Sequence, residues 1–493
     1  MPTSGYKIVL TADRTLMSEY SGGIFLGFAA CLPKGLIPDE LYFSVFCPPV
    51  PVEEGGRATL APNGTRRIEA ALLAHGFQPD EIVVAHPDHL DEVIGPATRV
   101  LGLTEFDPLG IGPATSTFSQ IFSGGTYMRL KFKEVLNHPL VRQFRPKVVV
   151  GGPGAWQVAN EGNRRKYRID HVVIGEGEKV AGPLLDSLVR DVAVPAFVYG
   201  EEVPAGEMIA NQNPSIHGIV EISRGCGRGC RFCVPTSSHP RHRPLADILA
   251  EVKVNLQAGR QPLLHAEDIL GYGADGVRIN RQAVIDLFNA VMRQPGVHDI
   301  SISHVALSSV MQAPELVQGI SSLLGLDEKY WLGPQTGIET GSAKLIKAHM
   351  PGKCRPFPSE AWPSLVVDAF TVLQEHHWIP CGTLIMGLPG EEDADILESI
   401  DLVGRLANVK SLIVPLFFAA QGRLEGMASP FTVETMGPLH EELFTVCWEH
   451  NLRWRSTLWE TYADRFIRDK RVREGMNVAT RLVAESMVNR FGG

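Results

Sequence analysis

The chain has 493 residues, enough for about three domains at roughly 100–200 residues each. Hydrophobic residues make up 44% and charged residues 20%, which excludes a disordered chain, and eight cysteines are too sparse for a disulfide scaffold. The 46 Lys and Arg against 55 Asp and Glu leave a net charge of −9, a poor basis for non-specific nucleic-acid binding.

The start, MPTSGYKIVLTADRT, has no basic stretch followed by an apolar core, and no apolar run approaches the ~20 residues that span a bilayer. The expectation is a soluble cytoplasmic protein with reduced thiols and neither membrane nor nucleic-acid partners. Residues 1–40 read as an irregular leader. Strands are expected at 41–46, 81–85, 99–104, 147–150 and 171–174, with a helix over 66–77. Short apolar strands that end in Gly-rich loops argue for a parallel sheet over 41–190, with ligands at its carboxyl ends. Residues 191–216, punctuated by Pro and Gly, read as a linker. A second series of six strands is expected at 218–223, 262–268, 301–308, 331–338, 379–386 and 411–418. Leu245, Ile248, Leu249, Val252 and Leu256 mark its first helix. This series, 217–430, suits a partial βα barrel, and 431–493 reads as a helical extension. There Leu439, Leu443, Phe444, Cys447 and Trp448 form one apolar stripe, of the kind that builds a core.

The sharpest signal is Cys226, Cys230 and Cys233, spaced C-x3-C-x2-C after the first strand of the second series. Gly225, Gly227 and Gly229 permit a tight wrap, and Arg224, Arg228 and Arg231 would offset thiolate charge. Three thiolates hold three irons of a cubane and leave the fourth open, whereas most electron-transfer clusters use four Cys. A structural zinc site completed by His239 or His242 is the competing reading. Cys31, Cys47, Cys354, Cys381 and Cys447 are scattered and read as core or loop residues.

This loop, with Phe232 before its last Cys, resembles the hallmark of radical S-adenosylmethionine (SAM) enzymes. The resemblance implies a [4Fe-4S] cluster on the three cysteines. It also implies a SAM chelated to the open iron and cleaved to a 5′-deoxyadenosyl radical. By position, Phe232, Glu267, Asp268, His304, Gln335 and Glu339 are candidate SAM contacts. Glu267 and Asp268 stand where the family often has Gly-Gly-Glu, but the glycines are absent here. His304 is equally read as a core histidine, and Glu339 as a structural ion-pair partner. The Met386–Glu391 turn reads as architecture.

The preceding domain resembles the Rossmann-like cobalamin-binding domain that accompanies some of these enzymes. The matching stretches are Asp107–Phe118, Gly151–Gly154 and Gly175–Glu178. The resemblance makes Asp107, Gly110, Gly112, Thr115, Ser116, Thr117, Gly151, Gly152, Pro153, Gly154, Glu176 and Gly177 candidate cobalamin contacts. The glycines would let backbone approach the corrin. Gly151–Gly154 alone is equally a plain tight turn. No D-x-H-x-x-G occurs in 47–63, taken as the loop after the first strand, so methylcobalamin would bind base-off. His86 and His89 read as surface residues.

Together these features resemble a cobalamin-dependent radical SAM C-methyltransferase acting on an unactivated sp3 carbon. They resemble most an archaeal subgroup that modifies a glutamine of methyl-coenzyme M reductase. That implies a protein or peptide substrate, such as the reductase alpha subunit, and a low-potential donor such as ferredoxin or flavodoxin. The runner-up is a cobalamin-containing radical enzyme that cyclises or rearranges without methylating. A non-catalytic corrinoid- or metal-binding protein is a third reading. A methylthiotransferase would need a second Cys triplet, and the N-terminal domain has only Cys31 and Cys47.

Overall fold

The computed structural model describes residues 4–20, 24–234, 239–466 and 470–491. The chain separates into two compact units: Met1–Val220 with Ala246–Arg260, and Glu221–Leu245 with Gln261–Gly493.

The first unit is a parallel sheet of β1 (Ile8–Thr11), β2 (Ile82–Val84), β3 (Val100–Thr104), β4 (Lys147–Gly151), β5 (His171–Gly175) and β6 (Phe197–Gly200). Their spatial order is β2-β1-β3-β4-β5-β6. Successive residues feed opposite faces: Ile8 and Leu10 pack with Leu72, Leu184 and Leu185, while Val9 packs with Leu101, Phe132 and Val150. A strand buried on both faces reads as an unbroken apolar run. The order reverses between β1 and β3, so loops diverge there and open a crevice at the carboxyl ends.

Three expectations are corrected here. The supposed leader contains β1, which pairs with both β2 and β3, one strand in from the sheet's edge. Residues 41–46 are helical, not a strand: Asp39–Leu41 and Tyr42–Phe46 follow Pro38. Tyr42 and Phe46, four apart, are buried, the spacing of one helix face. The supposed linker supplies β6, which pairs with β5. The helix expected after the second series' first strand, Leu245–Gln257, packs largely with the first unit. Its Glu251 accepts from Arg67 at 2.6 Å and from the Asn211 N–H at 2.9 Å.

Beyond β7 (Ile219–Glu221), a short antiparallel pair, β8 (Ser223–Arg224) and β9 (Arg241–His242), brackets the cysteine loop. The second unit continues with β10 (Leu263–His265), β11 (Ser301–Ile302), β12 (Gln335–Glu339), β13 (Cys381–Met386) and β14 (Leu412–Phe417). They form two three-stranded sheets, ordered β11-β10-β7 and β12-β13-β14. A parallel bridge between His304 and Gln335 joins the two arcs, which makes the expected open six-stranded array. The helices Pro438–Phe466 and Lys470–Phe491 follow. Asn451 guards the outer strand: its side chain accepts from the Ile413 N–H at 2.7 Å and donates to the Ile413 carbonyl at 2.7 Å. Glu391 accepts from the Gly387 N–H at 2.7 Å and from His440 at 3.0 Å, so the 386–391 turn is tied to the first of these helices. That turn is architecture, as read from sequence. Among the described residues no helix is long and apolar enough to cross a membrane.

Candidate functional site

The cysteine loop leaves β8 through three left-handed glycines, Gly225, Gly227 and Gly229, with φ of 82°, 67° and 69°. Cys226, Cys230 and Cys233 are partly buried along it, and the Cys233 N–H donates to the Cys230 carbonyl at 3.2 Å. Burial pushes the Cys230 thiol up to about 11, and Cys233 and Cys226 are near enough to push it further, against the opposing pull of Lys353. The loop is a run of donors on a glycine hinge rather than a finished cage. Among the described residues no group of three His, Cys, Asp or Glu is gathered closely enough to hold a metal ion. Thiolates are the donors an iron–sulfur cluster takes, and three on one loop suit three of a cubane's four irons. The zinc reading loses one of its ligands: His242 is held by Ser223 Oγ at 2.8 Å and the Ala274 carbonyl at 3.3 Å. His239 is exposed.

Two segments that the sequence did not flag clamp this loop. The Arg231 N–H donates to the His349 carbonyl and the Arg423 N–H to the Arg231 carbonyl, both at 2.9 Å. A Cβ on Gly352 would stand 2.0 Å from the Arg228 carbonyl oxygen, and one on Gly422 1.9 Å from that of Cys233. The only available signals were Pro351-Gly352 and Gln421-Gly422-Arg423, which look like ordinary turns.

The candidate SAM contacts separate into free and committed groups. Glu267 is exposed and near enough to Cys226 to raise its thiol. Asp268 is committed: it takes Arg228 at 2.9 Å, Ser309 Oγ, and the Ala306 N–H at 3.2 Å. Arg228 is therefore paired with a carboxylate and is not a free counter-charge for thiolates. Glu339 is buried at a left-handed φ of 65° and pairs with Lys353 at 2.7 Å, the structural ion-pair alternative. A Cβ on Gly337 would fall 1.9 Å from the Glu339 Oε1, so the pair requires that glycine. His304 bonds the Gln335 side chain, and burial brings its pKa down to about 4, so its ring is neutral at pH 7. Its Nδ1 is buried without a hydrogen-bond partner. Phe232 is half-buried.

In the first unit, Asp107 organises the carboxyl edge. Its Oδ1 accepts from the Ile111 N–H at 2.9 Å, the Gly112 N–H at 3.1 Å and Gln157 Nε2 at 2.6 Å, and its Oδ2 takes Thr115 Oγ1. Gln157 Oε1 accepts the Leu109 N–H at 2.8 Å, which stitches the loops after β3 and β4 together. Ser116 and Thr117 lie on the helix Pro113–Phe122, not in a loop. Thr117 donates to the Pro113 carbonyl at 2.6 Å, and Ser116 Oγ accepts from Gln120 at 2.9 Å. Glu176 accepts the Val203 N–H at 2.8 Å.

Protein crowds most of the candidate glycines. A Cβ on Gly152 would meet the Glu105 carbonyl oxygen at 2.7 Å, and on Gly154 the Phe106 carbonyl oxygen at 2.3 Å. On Gly110 it would meet Thr126 Oγ1, on Gly112 the Asp107 carboxylate, each at 2.8 Å, and on Gly177 the Ile68 side chain, also at 2.8 Å. They are small because protein packs against them. Gly151, by contrast, meets Val173 only at ordinary distance, and Pro153 is exposed. The stitched rim carries two exposed apolar side chains, Phe106 (59% exposed) and Ile111 (44%).

Sequence reading missed a buried carboxyl pair at the switch point. Asp13 follows β1, Glu105 follows β3, and neither is exposed. Burial raises Asp13 to about 6 and Glu105 well above the carboxylate range, each facing the other. His86 after β2 is fully buried, not on the surface: its Nδ1 accepts the Asp88 N–H at 3.2 Å, and burial lowers its pKa to about 4. The loop that actually follows β1 is, like 47–63, without His.

No protein-family model matches the chain. It is 25% identical over 278 residues to the tRNA-2-methylthio-N(6)-dimethylallyladenosine synthase of Acidithiobacillus ferrooxidans, which covers 53% of this chain and 57% of that protein. It is 30% identical over 267 residues to the ribosomal protein uS12 methylthiotransferase RimO of Thermotoga maritima, which covers 52% and 56%. The chain thus spans little more than half the length of these curated relatives. Among solved structures it resembles the radical S-adenosylmethionine methyltransferase TsrM from Kitasatospora setae, determined with cobalamin and a [4Fe-4S] cluster. The TM-score is 0.54 at 13% identity, over 85% of this chain and 77% of that one. A second TsrM structure, with tryptophan and a SAM analogue, gives 0.55. The fold is therefore like that of TsrM: a Rossmann-like unit, a partial barrel and a helical C-terminal region.

Proposed function

We propose that the chain is a cobalamin-dependent radical SAM methyltransferase. The observation that carries this reading is a loop of three cysteines, with no fourth His, Cys, Asp or Glu gathered beside them among the described residues, at the first strand end of the second α/β series. Behind it stand the TsrM-like fold and a preceding sheet whose switch point carries an apolar rim.

Cys226, Cys230 and Cys233 would hold the cluster. The Phe106–Ile111 rim and the Asp107-ordered loops would receive the corrin without a His ligand. Bound in these places, the cofactors supply an electron to cleave SAM and a methyl group to transfer. The protein's part is binding and orientation. Glu267, the open carboxylate near Cys226, suits the ammonium of the methionine moiety. Neutral His304 and the Gln335 amide offer uncharged hydrogen bonds to a nucleoside. The Lys353–Glu339 pair keeps a cation beside Cys230. The methyl acceptor we favour is an sp3 carbon of a protein side chain, such as a glutamine of methyl-coenzyme M reductase. The low-potential donor would be a ferredoxin or flavodoxin, and the setting the cytoplasm.

Anaerobic reconstitution followed by product analysis tests this. Methyl transfer yields S-adenosylhomocysteine alongside 5′-deoxyadenosine, and Cys230→Ala abolishes the latter. 5′-Deoxyadenosine without S-adenosylhomocysteine would favour cyclisation or rearrangement. Bound zinc without iron or sulfide would end the radical reading. The methylthiotransferase relatives suggest a second reading, methylthio transfer, against which stands the lack of a second Cys triplet in the N-terminal domain. A product heavier by a methylthio group rather than a methyl group would establish it.

A further inference from the structure

A loop with three left-handed glycines is expensive to hold in one shape, since glycine loses more freedom on ordering than any other residue. Among the described residues, main-chain tethers of the cysteine loop to the 349 and 423 segments fall at Arg231, toward its second half. The first half, between Cys226 and Cys230, is tethered by the Arg228 side chain. Its NH1 donates to Ser308 Oγ at 2.7 Å and to the Lys353 carbonyl at 3.1 Å. Its NH2 donates to Asp268 Oδ2 at 2.9 Å and to Ser309 Oγ at 3.0 Å. One planar guanidinium thus spans the segment after β10, the helix Leu307–Gln312 and the 350–354 segment. Ser308 also donates to the Lys353 carbonyl at 2.9 Å, and Ser309 to Asp268, so the acceptors are themselves fixed. Gly352 presses on the Arg228 main chain from the other side.

We infer that Arg228 is a positioning residue, which sets the wrap of the Cys226–Cys230 turn against these segments by its fork of hydrogen bonds rather than by its charge. The inference rests on the cluster reading above and deepens it. The charge is already matched by Asp268, and a guanidinium's fixed fan of donors is what an ammonium lacks. Groups that orient metal ligands from outside are typically worth about 10- to 100-fold in affinity or activity. Through the Lys353 carbonyl the same fork also holds the residue whose ammonium pairs with Glu339 near Cys230.

The test compares wild type, Arg228→Lys, Arg228→Gln and the double variant Ser308→Ala/Ser309→Ala, each reconstituted as the full chain. Iron and sulfide content is measured first. The electron paramagnetic resonance spectrum of the reduced cluster is then titrated with SAM. We expect both Arg228 variants to need at least about tenfold more SAM than wild type to shift the spectrum, or to load fewer clusters. The serine double variant, which keeps the Arg228–Asp268 pair, should fall in between, and it keeps the question open to measurement if an Arg228 variant does not fold. A wild-type titration in Arg228→Lys with a displaced one in Arg228→Gln would assign the role to charge and overturn the inference. So would wild-type behaviour in every variant. A wild-type chain that takes up no iron–sulfur cluster would instead overturn the cluster reading itself.

Discussion

Asp13 and Glu105 meet at the ends of neighbouring strands, both fully buried. Two such carboxyls cannot both ionise cheaply, so the folded protein keeps a proton that the unfolded chain releases. Asp13 titrates near 6 when folded against 3.8 ordinarily. An acid whose folded pKa is raised favours the fold while protonated, so its contribution is complete below about pH 4 and is lost as the pH climbs through 6. The displacement corresponds to about 3 kcal/mol. Asp13→Asn should therefore flatten the decline in melting temperature between about pH 4 and 6, as read by scanning calorimetry. An unchanged decline would show that the pair does not titrate in this range. A second prediction concerns Gly337→Ala. Its methyl would displace the Glu339 carboxylate and leave Lys353 buried without its partner, a loss of about 3–5 kcal/mol. Chemical denaturation measures it.

Loop against loop is how both candidate regions are built, and elements of this kind respond sharply to small additions. Gly352→Ala and Gly422→Ala should each lower the iron bound per chain several-fold, because the added carbon would sit within 2.0 Å of the cysteine loop's main chain. Gly319→Ala, with nothing within 4 Å, should leave iron binding unchanged. Asp107→Ala should cost about 2–4 kcal/mol by leaving several buried donors without an acceptor, and corrinoid uptake should weaken with it. These contacts also show where sequence reading stops. The cysteine loop was legible because chemistry fixes its spacing, and strands β2 to β5 because both faces are apolar. The strand β1 was hidden by its brevity in an otherwise irregular stretch. Residues 41–46 misled because six mostly apolar residues are too few for a period that separates helix from strand. The roles of Gly152, Gly154, Gly352 and Gly422 depend on partners distant in sequence. Arg228 and Asp268 were each singled out, but for separate tasks, and only the fold shows that they serve one another.

At the scale of the whole chain, each unit has its own sheet and its own candidate ligand. A corrinoid should raise the melting temperature of one transition and SAM, with the cluster loaded, that of the other, since a ligand stabilises what it binds. A single transition that moves as one with either ligand would show the two units to be thermodynamically inseparable. The Asn451 clasp on Ile413 has a consequence for biosynthesis. An outer strand with bare amides is a template for foreign β-strands until something caps it, and here the cap is encoded dozens of residues downstream of the strand that it protects. During translation the nascent barrel must therefore wait with a sticky margin until the final helices emerge. A chain cut before the Pro438–Phe466 helix should come out in inclusion bodies even though every residue of the array is present.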